Sequence, residues 1–224
     1  MLTGLEDVDW GKLSDAYGPA TEVPTYLREL ESEEEAVRDR AMWKLWGSVW
    51  HQGTIFSVTP AVAPFLIDAA IDPGPKRLEL LLLIGSIASS AAGDAEVEDG
   101  VDADTIAVLR RNIPPLGGIA SGCDDSATLA LEFLFLSAVG TVPESVASHV
   151  AARFEMADDP FVRGALAYGL WAVDGREELP EMARASVSSV DHDPELLQEA
   201  MDPTASVATR AQLLVELVRR LETR

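Results

Sequence analysis

Apolar residues in this chain recur at the spacing of a helix, and proline or glycine interrupts them every roughly 15–25 residues. Val146, Val150 and Phe154 lie four apart, and Leu214, Leu217, Val218 and Leu221 follow the i, i+3, i+4, i+7 pattern. Each set places one apolar stripe on one face of a helix. Sustained apolar–polar alternation and the Asn-Gly hairpin dipeptide are both missing, so strands find little support. Thr59-Pro60, Asp159-Pro160 and Asp202-Pro203 mark helix starts, where an oxygen can cap free amides and proline suits the first turn. Gly18-Pro19, Gly53, Gly74-Pro75, Gly93 and Gly140 mark stops. Pro64 falls inside the helix that Pro60 opens and is expected to kink it.

These signals predict a lead helix over 5–16 followed by helix pairs. First members cover roughly 22–31, 60–71, 103–121 (broken at Pro114-Pro115), 143–156 and 177–190; second members cover roughly 34–50, 76–91, 125–138, 160–173 and 205–222. A short helix is placed at 194–200. The second members begin roughly 35–49 residues apart, the period of two-helix repeats. One such pair leaves its apolar face uncovered, so neighbours are expected to stack into a right-handed α-α superhelix, a single domain over 1–224. Asp94, Glu96, Glu98, Asp99, Asp102 and Asp104 stand among small residues over 89–104, which reads as a flexible acidic loop.

Charge narrows the functional classes. The net charge of −21 is spread over both halves and would repel a phosphate backbone, so nucleic acid is not an expected partner. Acidity serves solubility, or it steers a basic protein partner. The single cysteine, Cys123, allows no intrachain disulfide. No signal-peptide pattern opens the chain, and the greasiest stretch, Ala127 to Val142, is interrupted by Glu132 and too short to span a bilayer. A cytoplasmic location without membrane partners is expected. Arginine far outnumbers lysine and alanine is abundant, as in GC-rich bacterial genomes.

Two segments resemble the HEAT-repeat consensus where its second helix begins. They are Glu35-Ala36-Val37-Arg38-Asp39-Arg40-Ala41, continuing to Leu45 and Gly47, and Asp159-Pro160-Phe161-Val162-Arg163-Gly164-Ala165, continuing to Leu170. The resemblance implies a HEAT-like (armadillo-type) solenoid of about five helix pairs. It also implies that Arg38 and Arg163 pair with acidic residues of the inter-helix turn or the next repeat, with Asp159 at the second helix start. The other pairs depart from the pattern: Lys76-Arg77 in the second, Asp124-Asp125 in the third, and Arg210 well inside the helix of the fifth. Tyr17-Gly18-Pro19-Ala20, Val23-Pro24 with Leu27, Trp46-Gly47-Ser48-Val49-Trp50-His51-Gln52-Gly53-Thr54 and Ala63-Pro64-Phe65-Leu66 are similar to bacterial HEAT-like proteins, some of them associated with toxin–immunity systems.

Trp43, Trp46 and Trp50 fall at i, i+3 and i+7, on one helix face. They pack into a core or form an anchor for a protein partner, since tryptophan dominates interface hot spots. Tyr168 and Trp171 form a smaller set of the same kind. His51-Gln52-Gly53-Thr54 reads as a helix end, with Gly53 a left-handed cap and His51 covering the last carbonyls, or as a polar contact patch. His51, His149, His192 and Cys123 show no metal-ligand spacing, and no His-Glu pair of the kind carried by HEAT-like iron hydroxylases occurs. Asp191-His192-Asp193-Pro194 reads as a turn and cap. Nucleophile-elbow, phosphate-loop and dinucleotide motifs are missing, so no catalytic residue and no cofactor is assigned. The expectation is a binding module, the alternatives being a scaffold or homo-oligomeric protein and an enzyme with acidic groove residues.

Overall fold

A computed structural model describes residues 3–72, 74–93, 100–174, 178–190 and 194–224, and among these the chain is mostly helical. It divides into two compact units, Met1–Leu116 and Gly117–Arg224.

The first unit does not open on a helix. Two 3-10 turns, Leu5–Asp7 and Trp10–Lys12, precede a small hairpin in which β1 (Ser14–Asp15) pairs antiparallel with β2 (Gly18–Pro19). Local bonds oppose the expected helix over 5–16. Gly4 is left-handed at φ 86°, and the Trp10 indole N–H donates to the Leu5 carbonyl at 2.9 Å. Ser14 then donates its backbone N–H to Ser57 Oγ at 2.8 Å and accepts from the Val58 N–H at 3.1 Å, which holds its backbone extended.

Helices α1 (Val23–Glu29) and α2 (Glu35–Val49) follow, then a second hairpin of β3 (Trp50–His51) and β4 (Thr54–Ile55), then α3 (Thr59–Ile71), α4 (Arg77–Ala92) and α5 (Val101–Asn112). Helix α1 packs on α2, α3 on α4, and α5 on both α3 and α4. Leu27, Leu45, Leu66, Leu81, Ile84, Ile87 and Leu109 are buried between them. Each such side chain contributes about 1.5–3 kcal/mol on leaving water. Thr59 fixes the start of α3, its hydroxyl donating to the Val49 carbonyl at 2.7 Å and accepting from the Phe56 N–H at 2.9 Å. Of the stretch 89–104 expected as an acidic loop, 89–92 continues α4, 101–104 opens α5, and 94–99 lie outside the described residues. Asp102 and Asp104 suit the first turn of α5, where the helix dipole favours negative charge. At Pro114-Pro115 the backbone tightens into a 3-10 run, Pro114–Gly122.

The second unit holds α6 (Asp125–Val139), α7 (Glu144–Met156), α8 (Pro160–Asp174), α9 (Glu181–Val187), α10 (Pro194–Ala200) and α11 (Val207–Glu222). The turn read at 191–193 lies outside the described residues. Asp124 caps α6 by accepting from the Ala127 N–H at 2.8 Å, and Gly140 ends it at φ 74°. Helices α6 to α9 pack consecutively, while α11 packs across both α6 and α8. Helix α6 is buried nearly all round, and the stripe of Leu213, Leu214, Leu217 and Val218 on α11 is buried as well. Helix α8 approaches its neighbours through glycine. A Cβ at Gly164 would overlap the Met182 carbonyl and Ser186 of α9, and one at Gly169 would overlap Glu132 of α6.

Arginines tie three of the inter-helix turns. Arg38 Nη1 donates to the carbonyls of Ser32 at 2.7 Å and Glu33 at 2.8 Å. Arg77 donates to Ala70 at 3.1 Å and Ile71 at 2.9 Å, and Arg163 Nη1 to Ala157 at 3.4 Å, with its guanidinium 4.4 Å from the Phe154 ring centroid. Among the described residues, the partners of Arg38 and Arg163 are backbone carbonyls left free where the preceding segment turns. Arg77, read as a departure from the pattern, makes the same contact. An ion pair does join α2 to the start of α4, from Lys76 to Asp39 at 2.6 Å. Asp159 accepts from the N–H groups of Phe161 at 2.9 Å and Val162 at 3.0 Å, and from Arg224 at 3.0 Å. The backbone bond from Val162 leads in holding its carboxyl below the usual range, with the bond from Phe161 and the Arg224 charge adding to it.

Candidate functional site: an aromatic recess in the first unit

Helix α2 ends at Val49 because the next two residues are taken by a hairpin. Trp50 pairs with Ile55 and His51 with Thr54, and the two residues between them turn through positive φ, 52° at Gln52 and 87° at Gly53. This is the two-residue reversal that suits the twist of a hairpin. The string His51-Gln52-Gly53-Thr54 is therefore a β-turn between strands, which corrects its reading as a helix cap. Gly53 has the left-handed backbone expected of it but closes a different structure.

The hairpin carries Trp50 and His51 beside the last turns of α2. Trp46 and Trp50 meet edge to face, their ring centroids 5.4 Å apart. The Trp50 indole N–H donates to Ser90 Oγ at 2.8 Å, fixing that ring to α4. The first hairpin supplies Tyr17 from its turn. A Cβ at Gly47 would lie 3.3 Å from the Tyr17 hydroxyl oxygen, and the Tyr17 ring meets His51 edge-on at 5.9 Å. Trp43 is 69% exposed and Tyr17 74%, and Lys44 Nζ lies 5.0 Å from the Trp43 ring centroid. Together Tyr17, Trp43, Trp46, Trp50, His51 and Gln52 line a recess of about 540 Å³, which Lys44 and Gly47 complete. Five residues singled out from the sequence thus meet in one place. Tyr17 was missed as a site residue, although it stands in the Tyr17-Gly18-Pro19 string noted for its resemblance.

Chemically the recess offers indole and phenol faces, an imidazole and an amide. Such a lining can pack a side chain, hold a cation over a ring and exchange a few hydrogen bonds.

Tyr168 and Trp171 belong to the second unit and are buried there, at 0% and 6% exposure. The Tyr168 hydroxyl lies 3.2 Å from the carbonyls of both Ala200 and Arg210. Arg210 is buried with them, its Nη1 3.4 Å from the Trp171 carbonyl and its guanidinium 5.4 Å from the Trp171 ring centroid. These aromatics therefore hold α8 to α11, and the partner-facing role considered for them has no surface to act from. Glu132 of α6 is fully buried, and neither carboxyl oxygen has a hydrogen-bond partner. Burial pushes its carboxyl up to about 8. Burial also raises the Tyr168 phenol, with Arg210 opposing the shift and Glu132 adding to it.

Among the described residues, no group of three or more His, Cys, Asp or Glu side chains gathers where it could hold a metal ion. No helix there is long and apolar enough to cross a membrane. No protein-family model, curated protein or solved structure matches the chain.

Proposed function

We propose that this chain is a protein-binding module of the HEAT-like kind, and that the recess around Trp43 anchors a basic partner. The observation that carries the proposal is the exposure of Trp43 at the edge of a recess lined by Tyr17, Trp46, Trp50 and His51. An indole left exposed by folding keeps its apolar surface available for a partner to bury, and indoles and phenols head the residues that dominate interfaces. The net charge of −21 would draw a cationic partner by long-range steering. Lys44 over Trp43 indicates how a partner cation would sit, since it stacks its ammonium on that ring. The most concrete version is an immunity role, in which this surface occludes a basic toxin.

The test begins with capture from native lysate at low and high salt, followed by purification of the captured protein. Trp43→Ala should weaken its binding by at least about tenfold, a loss of about 1.4 kcal/mol. The association rate should fall steeply as salt rises. A partner that binds Trp43→Ala as tightly as the native chain would overturn the anchor. An association rate indifferent to salt would overturn the steering. Saturable self-association through Trp43 would replace the partner with a second copy of the chain.

A further inference from the structure

A second cavity, of about 360 Å³, lies in the first unit where the turn after α1 meets the turn between α3 and α4. Cavities of this size hold small molecules. Leu27, Leu30, Phe65 and Leu80 give it apolar walls, and Ala69 leaves room where a longer side chain would fill it. Its charged groups are Arg38, Lys76 and Arg77 on one side, Glu31 and Asp72 on the other.

These charges are unevenly engaged. Lys76 is held between Asp39 at 2.6 Å and Glu79 at 2.7 Å, and Glu31 has an interaction of its own. Arg77 spends Nε and Nη2 on the neutral carbonyls of Ala70 and Ile71. Arg38 spends Nη1 on the carbonyls of Ser32 and Glu33, and its Nε is buried without an acceptor. Among the described residues, the hydrogen bonds of both guanidinium groups go to neutral carbonyl oxygens, and both groups line the cavity with Asp72. A buried donor left unpaired is costly, and a guanidinium satisfies that need best with an anionic oxygen.

We infer that this cavity binds a small amphipathic anion, a single carboxylate on an apolar body. Its head bonds Arg38 and Arg77, and its body lies against Leu27, Phe65 and Leu80. The inference is independent of any protein partner at the aromatic recess.

Octanoate, 1-octanol and octylammonium share one apolar body and differ in the head, so calorimetric titration of the intact chain with each separates the contributions. Octanoate should bind one to one and at least about tenfold more tightly than 1-octanol, with octylammonium weakest. Ala69→Phe, which fills the cavity and touches no arginine contact, should abolish binding of octanoate and 1-octanol alike. Arg38→Met should remove the preference for octanoate over 1-octanol. Failure of octanoate to saturate, octylammonium binding as tightly as octanoate, or an unchanged octanoate affinity in Ala69→Phe would each overturn the inference.

Discussion

Glu132 shows how much one side chain can govern. A carboxyl buried among Leu129, Gly169 and the rest of the α6–α8 contact has no protein donor to support its charge. Its folded value of about 8 lies above the ordinary 4.5, so the folded chain keeps a proton that the unfolded chain releases. The stability contributed by Glu132 should accordingly be fully present below the ordinary carboxylate range, fall as pH climbs toward 8, and level off above it. In urea unfolding, Glu132→Gln should remove a few kcal/mol of that decline, on the order of 3–5 between about pH 5 and about pH 8. Identical slopes in the native and variant chains would refute the assignment. The sequence marked Glu132 as a break in an apolar run, but the run does not say that α8 and α11 enclose it. Tyr168 and Trp171 pose the converse problem. Two aromatics three apart look alike whether they face solvent or a core, and only the placement of Ala200 and Arg210 around the phenol separates the two. Trp43 and Trp46 were legible because helical spacing alone puts them together.

At the level of elements, the helices were readable because burial on one face repeats every three or four residues and proline or glycine bounds each stretch. The hairpins were not. A strand of two residues is too short to show alternation, and Gln52 is an uncommon residue for a left-handed turn position. Replacing it with one that adopts positive φ more readily should relieve strain, and Gln52→Asn is expected to add about 0.5–1 kcal/mol in thermal unfolding. Tyr17 escaped notice for the same reason, since only the first hairpin brings it over Gly47. Glycine at 164 has the opposite role. Helix α9 lies so close to α8 there that Gly164→Ala must push the Met182 carbonyl away, despite the better helix propensity of alanine. A net loss of about 1–3 kcal/mol is expected in denaturant unfolding. A gain would mean that the two helices separate freely.

Across the whole molecule, charge sets the response to solution conditions. With −21 charges on 224 residues, the chain repels itself, and salt screens that repulsion. The unfolding midpoint should rise by a few degrees as salt goes from about 20 to about 300 mM, while capture of a basic partner weakens over the same range. The opposite signs make the pair informative: a midpoint that falls with salt would show that ion pairs such as Lys76–Asp39 outweigh the general repulsion. The burial of Trp171 under Arg210 has one more consequence, for spectroscopy. Trp10, Trp43, Trp46 and Trp50 all lie in the first unit and Trp171 alone in the second, so the indole emission of a Trp171→Phe chain comes only from the former. Subtracting its fluorescence from that of the native chain isolates a single indole as the optical reporter of residues 117–224.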